Sequence, residues 1–330
     1  MSLKKLIKNM LPYGYIVSKQ KAQESVIKQV SEPEIYNVNG EKMRVFYLKD
    51  SVCKHSPYTF SSQNIGVTKS ILWDRYNIKL PIHFYTHKDI FDSQDDCSKK
   101  FALLIESEAI VPDEYEKILS EAEYMKAFDG IFTHSERLLK KYTNAYFIPG
   151  SSVWYGGTTG GGMMDENAFL KKTKNVSLVS SDKAQCELHK YRMKLASWLY
   201  DSDIVDVLGT FRGGSYVNIA DSLKNYRYSI VIENYVTNCY FTEKLLNCFA
   251  SMTVPIYLGA KKIDNYFNAE GIIQIHPEMN ETEIKEIIDR CSEMDYMSRV
   301  AAIQDNYERV KEYLCIEDYI YSHYKDLFEV

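Results

Sequence analysis

The sequence contains no apolar run long enough for a signal peptide or a membrane span, so we expect the chain to stay in the cytoplasm. It also lacks an excess of positive charge, since 40 Lys and Arg residues stand against 45 Asp and Glu residues, giving a net charge of -5. A protein without a basic field is a poor partner for nucleic acid, and we expect none. Any anionic ligand must therefore be bound by a local group of cations.

The seven cysteines are scattered along the chain and form no Cys-x-x-Cys pair. This pattern excludes a disulfide framework and a zinc site built from paired cysteines. Scattered free thiols are typical of proteins that work in a reducing compartment.

A basic stretch is present at the start of the chain, where five lysines alternate with apolar residues in MSLKKLIKNMLPYGYIVSKQK. Two interpretations stay open for it. It is either an amphipathic segment that makes peripheral contact with an anionic membrane surface, or a solvated N-terminus without a partner. We treat residues 1–40 as an irregular basic segment.

Short β-rich runs alternate with segments of helical period from residue 43 onward, which is the pattern of parallel sheets covered by helices. In the first half the predicted strands are residues 43–48, 101–106, 129–134 and 145–150. Ser135 is placed to cap the helix after the third of these strands. Residues 50–100 are less regular. We predict a Rossmann-like α/β domain over residues 1–155.

Five glycines fall within residues 156–162, in SSVWYGGTTGGGMMDENAF. A phosphate-binding glycine loop needs a GxGxxG or GK[ST] pattern that leads from a strand to a helix, and neither pattern is present. The composition favours a linker or a mobile loop. We take residues 156–172 as the boundary between two domains.

A second α/β series follows the glycines. Its predicted strands are residues 175–181, 204–209, 228–234, 254–259 and 271–276, with helical segments at 188–200 and 242–252 and a helical tail over 281–328. We predict a second Rossmann-like domain over residues 173–330. Two such domains face a central cleft, and doubly wound sheets bind ligands at the carboxyl ends of their strands.

Lys244 lies in the first turn of the helix predicted to begin near Thr242, where the positive end of the helix dipole disfavours a cation. The position has a purpose if a phosphate binds there, because free backbone N–H groups and the lysine then face an anion together. Glu243 and Asn234 beside this turn are able to hydrogen-bond sugar hydroxyls. These residues predict a nucleotide-sugar site.

Residues 226–260, YRYSIVIENYVTNCYFTEKLLNCFASMTVPIYLGA, resemble the donor-binding signature of the α-1,3/4-fucosyltransferases, glycosyltransferase family 10. That family reads close to Y-K-F-x-x-x-x-E-N, then Y-x-T-E-K, then V-P-x-x-x-G, and the three blocks occur here in the same order. The resemblance implies the GT-B fold, GDP-fucose as donor, and inversion at the anomeric carbon. It implies an α-1,3-fucosyltransferase that acts on a glycan hydroxyl.

The resemblance also implies roles for individual residues of the donor pocket. The family's pocket positions correspond here to Asn234, Tyr240, Glu243 and Lys244. Ser181 lies in the turn that matches the family's Ser/Asn turn after the first strand of the donor domain. The arginine that contacts the diphosphate is matched to Arg212, in GTFRGGSY, and Arg192 or Arg227 are alternatives.

The general base of the family is a Glu, often followed by Ser, at the end of a strand in the first domain. Glu106 and Ser107 occupy that place in LLIESEAIVP. The family's E-S-P becomes E-S-E-A-I-V-P here, which leaves Glu108 as a rival, and we prefer Glu106. As base, it takes the proton of the acceptor hydroxyl that attacks the anomeric carbon in a single displacement.

The resemblance further implies an oligosaccharide or glycolipid acceptor, bound by the N-terminal domain, and no metal cofactor. The triplet Asp-Ser-Asp at 201–203 resembles the metal-binding DxD of GT-A transferases, but it follows a helix at the wrong end of the sheet and is typical of a turn or cap. A GT-B transferase for another nucleotide sugar and a non-catalytic sugar-binding relative stay open as alternatives. We expect a bacterial role in lipopolysaccharide or capsule synthesis.

Overall fold

The computed structural model describes residues 35–38, 41–51, 68–156 and 161–329. They form two β-sheets made almost wholly of parallel strands, with helices packed on them. The prediction of two Rossmann-like α/β halves is confirmed. Residues 1–34, which hold the basic N-terminal stretch, and residues 157–160 of the glycine-rich segment lie outside the described residues, so the predictions made for them are untested.

The first sheet has the strand order β1-β2-β4-β5-β6-β7, with β3 paired to β2. β1 runs antiparallel to β2, and the other described pairings in this sheet are parallel. The strands are β1 (Ile35–Val38), β2 (Glu41–Lys49), β3 (Ile71–Asp74), β4 (Ile82–Thr86), β5 (Lys99–Leu104), β6 (Gly130–Thr133) and β7 (Ala145–Phe147). Four of them were predicted, whereas β1, β3 and β4 were not.

A row of phenylalanines forms the core on one face of the first sheet. The ring centroids of Phe46 and Phe84 are 5.7 Å apart, and those of Phe84 and Phe101 are 5.0 Å apart. Phe101 in turn lies 5.6 Å from Phe132. Because each ring comes from a neighbouring strand and is buried, this row fixes the register of the strands whose carboxyl ends reach the cleft.

The second sheet has the order β12-β11-β10-β8-β9, and its described pairings are all parallel. The strands are β8 (Lys174–Val179), β9 (Asp206–Leu208), β10 (Tyr226–Ile232), β11 (Val254–Leu258) and β12 (Ile273–Gln274). Each of these strands was predicted. From β8 the chain first forms β9 on one side of β8 and then crosses to form β10 on the other side. The strand order therefore reverses between β8 and β10.

The α-helices of the described residues connect the strands and form the C-terminal tail. They are α1 (Pro112–Ser120), α2 (Ala122–Met125), α3 (Glu136–Lys141), α4 (Glu187–Ser202), α5 (Ile219–Leu223), α6 (Glu243–Ala250), α7 (Glu281–Arg290), α8 (Glu293–Ser298), α9 (Val300–Arg309) and α10 (Ile316–Tyr324). Ser135 caps α3 as predicted, because its side chain accepts the N–H of Leu138. None of the helices in the described ranges combines the length and the hydrophobicity that crossing a bilayer requires.

Short 3-10 helices fill several connections. They are His87–Asp92, Ala168–Lys171, Phe211–Gly213, Ile263–Asn265, Ala269–Gly271, Val310–Tyr313 and Lys325–Phe328. The linker that was assigned to residues 156–172 ends in one of them. Lys172 then anchors the linker to the second domain, because its buried ammonium donates to Leu223 O, Tyr226 O and Thr253 Oγ1 at 2.9 to 3.0 Å.

The helical tail, which the sequence assigned to the second domain, divides between the two sheets: α7, α8 and α9 pack with the second sheet, whereas α10 and the 3-10 helix Lys325–Phe328 pack on the first. The Nε1–H of Trp73 in β3 donates to Oε1 of the buried Glu317 at 3.0 Å. The ring of Phe328 lies 5.2 Å from that of Phe46. The segment just before the linker also touches the returning tail, since Val153 N–H donates to Tyr313 O at 3.0 Å. The chain therefore passes from the first domain to the second and back again.

Candidate functional site

A cleft of about 790 Å³ lies between the carboxyl ends of the two sheets. It contains the point between β8 and β10 where the strand order reverses, which is where doubly wound sheets bind their ligands. Seven of the eight residues predicted for the site line this cleft. They are Glu106, Ser181, Arg192, Asn234, Tyr240, Glu243 and Lys244.

Glu106 and Glu108 are separated by their surroundings. Glu106 follows β5, is half-buried, and lines the cleft, and its carboxylate has no hydrogen bond or ion pair among the described residues. Glu108 is 9% exposed and does not line the cleft. Its carboxylate accepts from the hydroxyl of Ser135 and pairs with Arg137 at 3.1 Å. Glu106 is therefore the carboxylate that is free to meet a ligand.

The first turn of α6 carries the cation that the sequence singled out. Thr242 caps the helix and accepts the backbone N–H of Lys244. The Lys244 ammonium lies 3.1 Å from Glu243 Oε1 and 3.6 Å from Oε2 of the fully buried Glu233. Burial alone lowers the pKa of Lys244, but the two carboxylates outweigh burial and raise the pKa. The lysine is thus charged, and it is already paired without a ligand.

Glu233, at the end of β10, was not among the predicted site residues. Its carboxylate accepts the N–H and the hydroxyl of Thr242 at 2.9 and 2.7 Å. Burial is the main reason that the pKa of Glu233 is raised. These bonds attach the N-terminus of α6 to the end of β10, and they thereby fix the position of the turn that carries Lys244. Glu233 is the Glu of the E-N block in the family signature, so the sequence did contain a reason to include it.

Arg192 on α4 is a buried cation that lines the cleft, and the described residues give its guanidinium no acceptor. The residue is 9% exposed, its Nε atom is buried without a hydrogen-bond partner, and no carboxylate of the described residues lies within ion-pair distance. Burial is the largest effect on its guanidinium and lowers the pKa. A buried guanidinium without an acceptor is costly for the folded state, and an anionic ligand in the cleft would remove that cost.

The arginine that the sequence analysis matched to the diphosphate contact, Arg212, lies outside the cleft. Arg212 does not line the cleft, because its guanidinium pairs with Asp201 at 2.7 Å on the outer side of α4 and lies over the ring of Tyr200. Arg227 is also elsewhere, at the start of β10, where it pairs with Glu293 at 2.6 Å. Of the three candidate arginines, the cleft contains Arg192.

His189 is a residue of the cleft that the sequence did not identify. Its Nδ1 accepts the backbone N–H of Gln185 at 3.2 Å, so the proton is on Nε2, which donates to Asn234 Oδ1 at 2.9 Å. Burial is the main reason that the pKa of His189 is lowered, which keeps the ring neutral. This hydrogen bond fixes the orientation of the side-chain amide of Asn234, so that the amide nitrogen is available to a ligand.

His134, at the end of β6, links the base candidate to the donor side of the cleft. Its Nε2 lies 3.2 Å from the carbonyl oxygens of Ile105 and Glu106, and its ring centroid lies 4.5 Å from that of Tyr240. Its Nδ1 is buried without a partner. Protonation would leave a buried N–H without an acceptor, and burial accordingly lowers the pKa of His134 to about 4.

We expect His134 to make the protein acid-labile. Between about pH 6.5 and pH 4 the unfolded chain binds a proton at this position that the folded chain does not bind, so the free energy of unfolding falls as the pH is lowered. The Gln of His134→Gln keeps a donor for the carbonyls but does not titrate. In urea unfolding, the wild type should lose about 2 to 3 kcal/mol more than this variant between pH 7 and pH 4.5. Equal losses would contradict the prediction.

Comparison with known proteins agrees with the geometry of the second domain. Residues 169–299 match the family model "Glycosyltransferase family 10 (fucosyltransferase) C-term". A stretch of 64 residues is 30% identical to the alpha-(1,3)-fucosyltransferase FucT of Helicobacter pylori, and it spans 19% of this chain and 13% of that protein. The chain thus matches only a small part of the length of that curated relative.

The fold has a solved counterpart. A crystal structure of an alpha1,3-fucosyltransferase with GDP superposes with a TM-score of 0.51 and 14% sequence identity, over 88% of this chain and 96% of that one. At this identity the likeness concerns the fold alone. The two domains and the cleft between them are the GT-B arrangement that the sequence predicted.

Proposed function

We propose that this protein is an inverting fucosyltransferase that moves fucose from GDP-fucose to a glycan hydroxyl, with α-1,3 linkage, because residues 169–299 match the model of glycosyltransferase family 10. The observation that carries the proposal is the distribution of charge in the cleft. Glu106, whose carboxylate pairs with none of the described residues, lines it from the first domain, and three cations, Lys183, Arg192 and Lys244, line it from the second. An acceptor and a nucleotide diphosphate need these two kinds of group on opposite sides.

Glu106 is the general base in this mechanism. It accepts the proton of the acceptor hydroxyl while the hydroxyl oxygen attacks the anomeric carbon of fucose from the face opposite the leaving group. The new glycosidic bond forms as the bond to the β-phosphate breaks, through a transition state with oxocarbenium character. A carboxylate without a competing cation or donor, as Glu106 is among the described residues, is suited to take a proton.

The leaving diphosphate gains negative charge as the bond breaks, and the second domain meets it with fixed positive groups. Arg192 lacks an acceptor in the cleft, Lys244 keeps its charge between two carboxylates, and the N-terminus of α6 adds backbone dipoles. These groups neutralise the leaving group without a bound metal ion, so we propose that none is required.

The remaining lining residues hold the nucleoside and the sugar. Asn234 offers its amide nitrogen, because its oxygen is occupied by His189. Glu243 uses one carboxylate oxygen on Lys244 and has the other for a sugar or ribose hydroxyl. Tyr240 and Ser181 complete this side of the cleft. The donor pocket of the proposal is therefore the turn between β10 and α6 together with the turn after β8.

We propose that the acceptor is an oligosaccharide or glycolipid of lipopolysaccharide or capsule type, bound by the N-terminal domain. The six cysteines of the described residues are free, and this supports a reducing, cytoplasmic setting. Peripheral membrane contact through the basic N-terminus is part of the same proposal.

Calorimetric titration tests the choice of donor. We expect GDP and GDP-fucose to bind and UDP and dTDP to give no heat, followed by transfer of fucose to an oligosaccharide acceptor with an inverted anomeric configuration by NMR. Binding of UDP or dTDP in place of GDP would favour a GT-B transferase for another nucleotide sugar. Binding of GDP-fucose without transfer or hydrolysis would favour a non-catalytic relative.

A further inference from the structure

Histidines end the two strands that flank the strand of the base candidate. Glu106 follows β5, and the neighbouring strands β4 and β6 are followed by His87 and His134. Both histidines are fully buried, and neither lines the cleft. They lie at the same sheet edge as Glu106, where the carboxyl ends of the parallel strands meet.

The backbone N–H of Glu106 donates to Nε2 of His87 at 3.3 Å. Since Nε2 accepts this bond, the ring proton is on Nδ1, which donates to Glu114 Oε2 of α1 at 2.9 Å. His87 therefore connects the Glu114 carboxylate on α1 to the backbone N–H of Glu106 through its two ring nitrogens.

The carbonyl of Glu106 is held from the other side. It accepts the hydroxyl of Tyr115 at 2.6 Å and lies 3.2 Å from Nε2 of His134. Both polar groups of one peptide position are thus bound by buried side chains, which we call the Glu106 clamp (His87, Tyr115 and His134). A residue that follows a strand usually leaves these groups to water or to a turn. Here three elements of the first domain converge on them.

The backbone of His87 supports a specialised role. Its φ is +50°, in the left-handed region that few residues other than glycine occupy, although histidine does so more often than most. This conformation begins the 3-10 helix His87–Asp92 directly after β4. Strained backbone persists where the surrounding structure requires it, and such positions cluster at functional sites.

We propose, resting on the proposed function of Glu106 as base, that His87 is a positioning residue that sets the direction of the Glu106 carboxylate by binding its backbone N–H. Tyr115 and His134 complete this role at the carbonyl. The carboxylate must stay within about an ångström of its productive position, because larger displacements of a reacting group cost about a hundredfold in rate. His87 itself touches neither donor nor acceptor.

Two substitutions of His87 separate its two contacts. In His87→Gln the amide reaches the place of Nε2 and accepts the Glu106 N–H. In His87→Asn the shorter amide reaches only the place of Nδ1 and donates to Glu114, and Asn tolerates the left-handed backbone. We expect His87→Asn to lower kcat by about 10- to 100-fold and His87→Gln by less than about fivefold, with the Kd for GDP unchanged in both.

A double-mutant cycle with Glu106→Gln distinguishes a positioning role of His87 from a contribution to stability alone. If His87 acts through Glu106, then His87→Asn should reduce kcat no further in a Glu106→Gln background. Tyr115→Phe, which removes one hydroxyl and little volume, should lower kcat about threefold to tenfold in the wild type and have no effect in that background. This variant keeps the test available if His87→Asn does not fold.

Equal loss of kcat in the Gln and Asn variants, or losses that persist in the Glu106→Gln background, would overturn the positioning role alone. Turnover of GDP-fucose by the wild type, measured in the same assay, tests the proposed function separately. Absence of wild-type turnover would overturn both, because no base would then be in use.

Discussion

Glu106→Gln is expected to lower kcat for fucosyl transfer by about 100-fold or more while GDP binds with unchanged affinity. The amide has the size of the carboxylate but cannot take the proton of the acceptor hydroxyl. Its effect is confined to the chemical step, because the groups proposed to hold the diphosphate, Arg192 and Lys244, belong to the other domain. Steady-state rates with GDP-fucose and calorimetry with GDP measure the two quantities.

Glu108→Gln is the matched control for this experiment. Its carboxylate is bound by Ser135 and Arg137, so the main effect of the substitution should be a lower melting temperature, with little change in kcat. The opposite result, with turnover lost in Glu108→Gln and kept in Glu106→Gln, would transfer the role of base to Glu108. Loss of GDP binding in Glu106→Gln would show that the residue belongs to the donor pocket.

Arg192→Met is expected to lower kcat by about 100- to 1000-fold and to weaken GDP binding, since it removes a cation that faces the leaving diphosphate. The same substitution should leave the ligand-free protein equally stable or more stable. Arg192 is 9% exposed and its Nε has no acceptor among the described residues, so methionine replaces a poorly satisfied buried charge by a side chain that packs. Thermal melts with and without GDP measure these opposite effects.

Arg212→Met is the control, because Arg212 pairs with Asp201 outside the cleft. Its kcat and its GDP affinity should stay within about twofold of the wild type, as expected for an exposed ion pair. A large loss in Arg212→Met with none in Arg192→Met would restore the assignment made from the sequence.

Turnover of the wild type in excess EDTA should equal its turnover without EDTA if Arg192 and Lys244 supply the positive charge.

The donor turn was predictable because its residues are close together in the sequence. A strand, a capped helix start and a lysine in the first turn lie within residues 226–250, and their spacing alone places Asn234, Glu243 and Lys244 at one sheet edge. Even there the sequence was incomplete. It assigned Lys244 to a bound phosphate and did not indicate that Glu233 and Glu243 both pair with the lysine.

The residues that were missed or misplaced depend on contacts distant in sequence. Arg212 was matched to the diphosphate contact because it lies in a loop after a strand of the second domain. Its ion pair with Asp201 places it on the outer face of α4 instead. The choice between Glu106 and Glu108 depends on Ser135, whose contact with Glu108 joins two different strand ends. Strand β4 was missed because its buried His83 and Thr86 interrupt the apolar pattern, although all five of its residues are buried.

The return of the tail to the first sheet gives the pair of domains a mechanical property that a single linker would not. Two passages of chain join the halves, and they run side by side where Val153 meets Tyr313. Two connections leave the halves fewer relative displacements than one linker would, because a movement of one half must be accommodated by both passages of chain. The tail thus constrains the separation of the two domains, although none of its described residues lines the cleft.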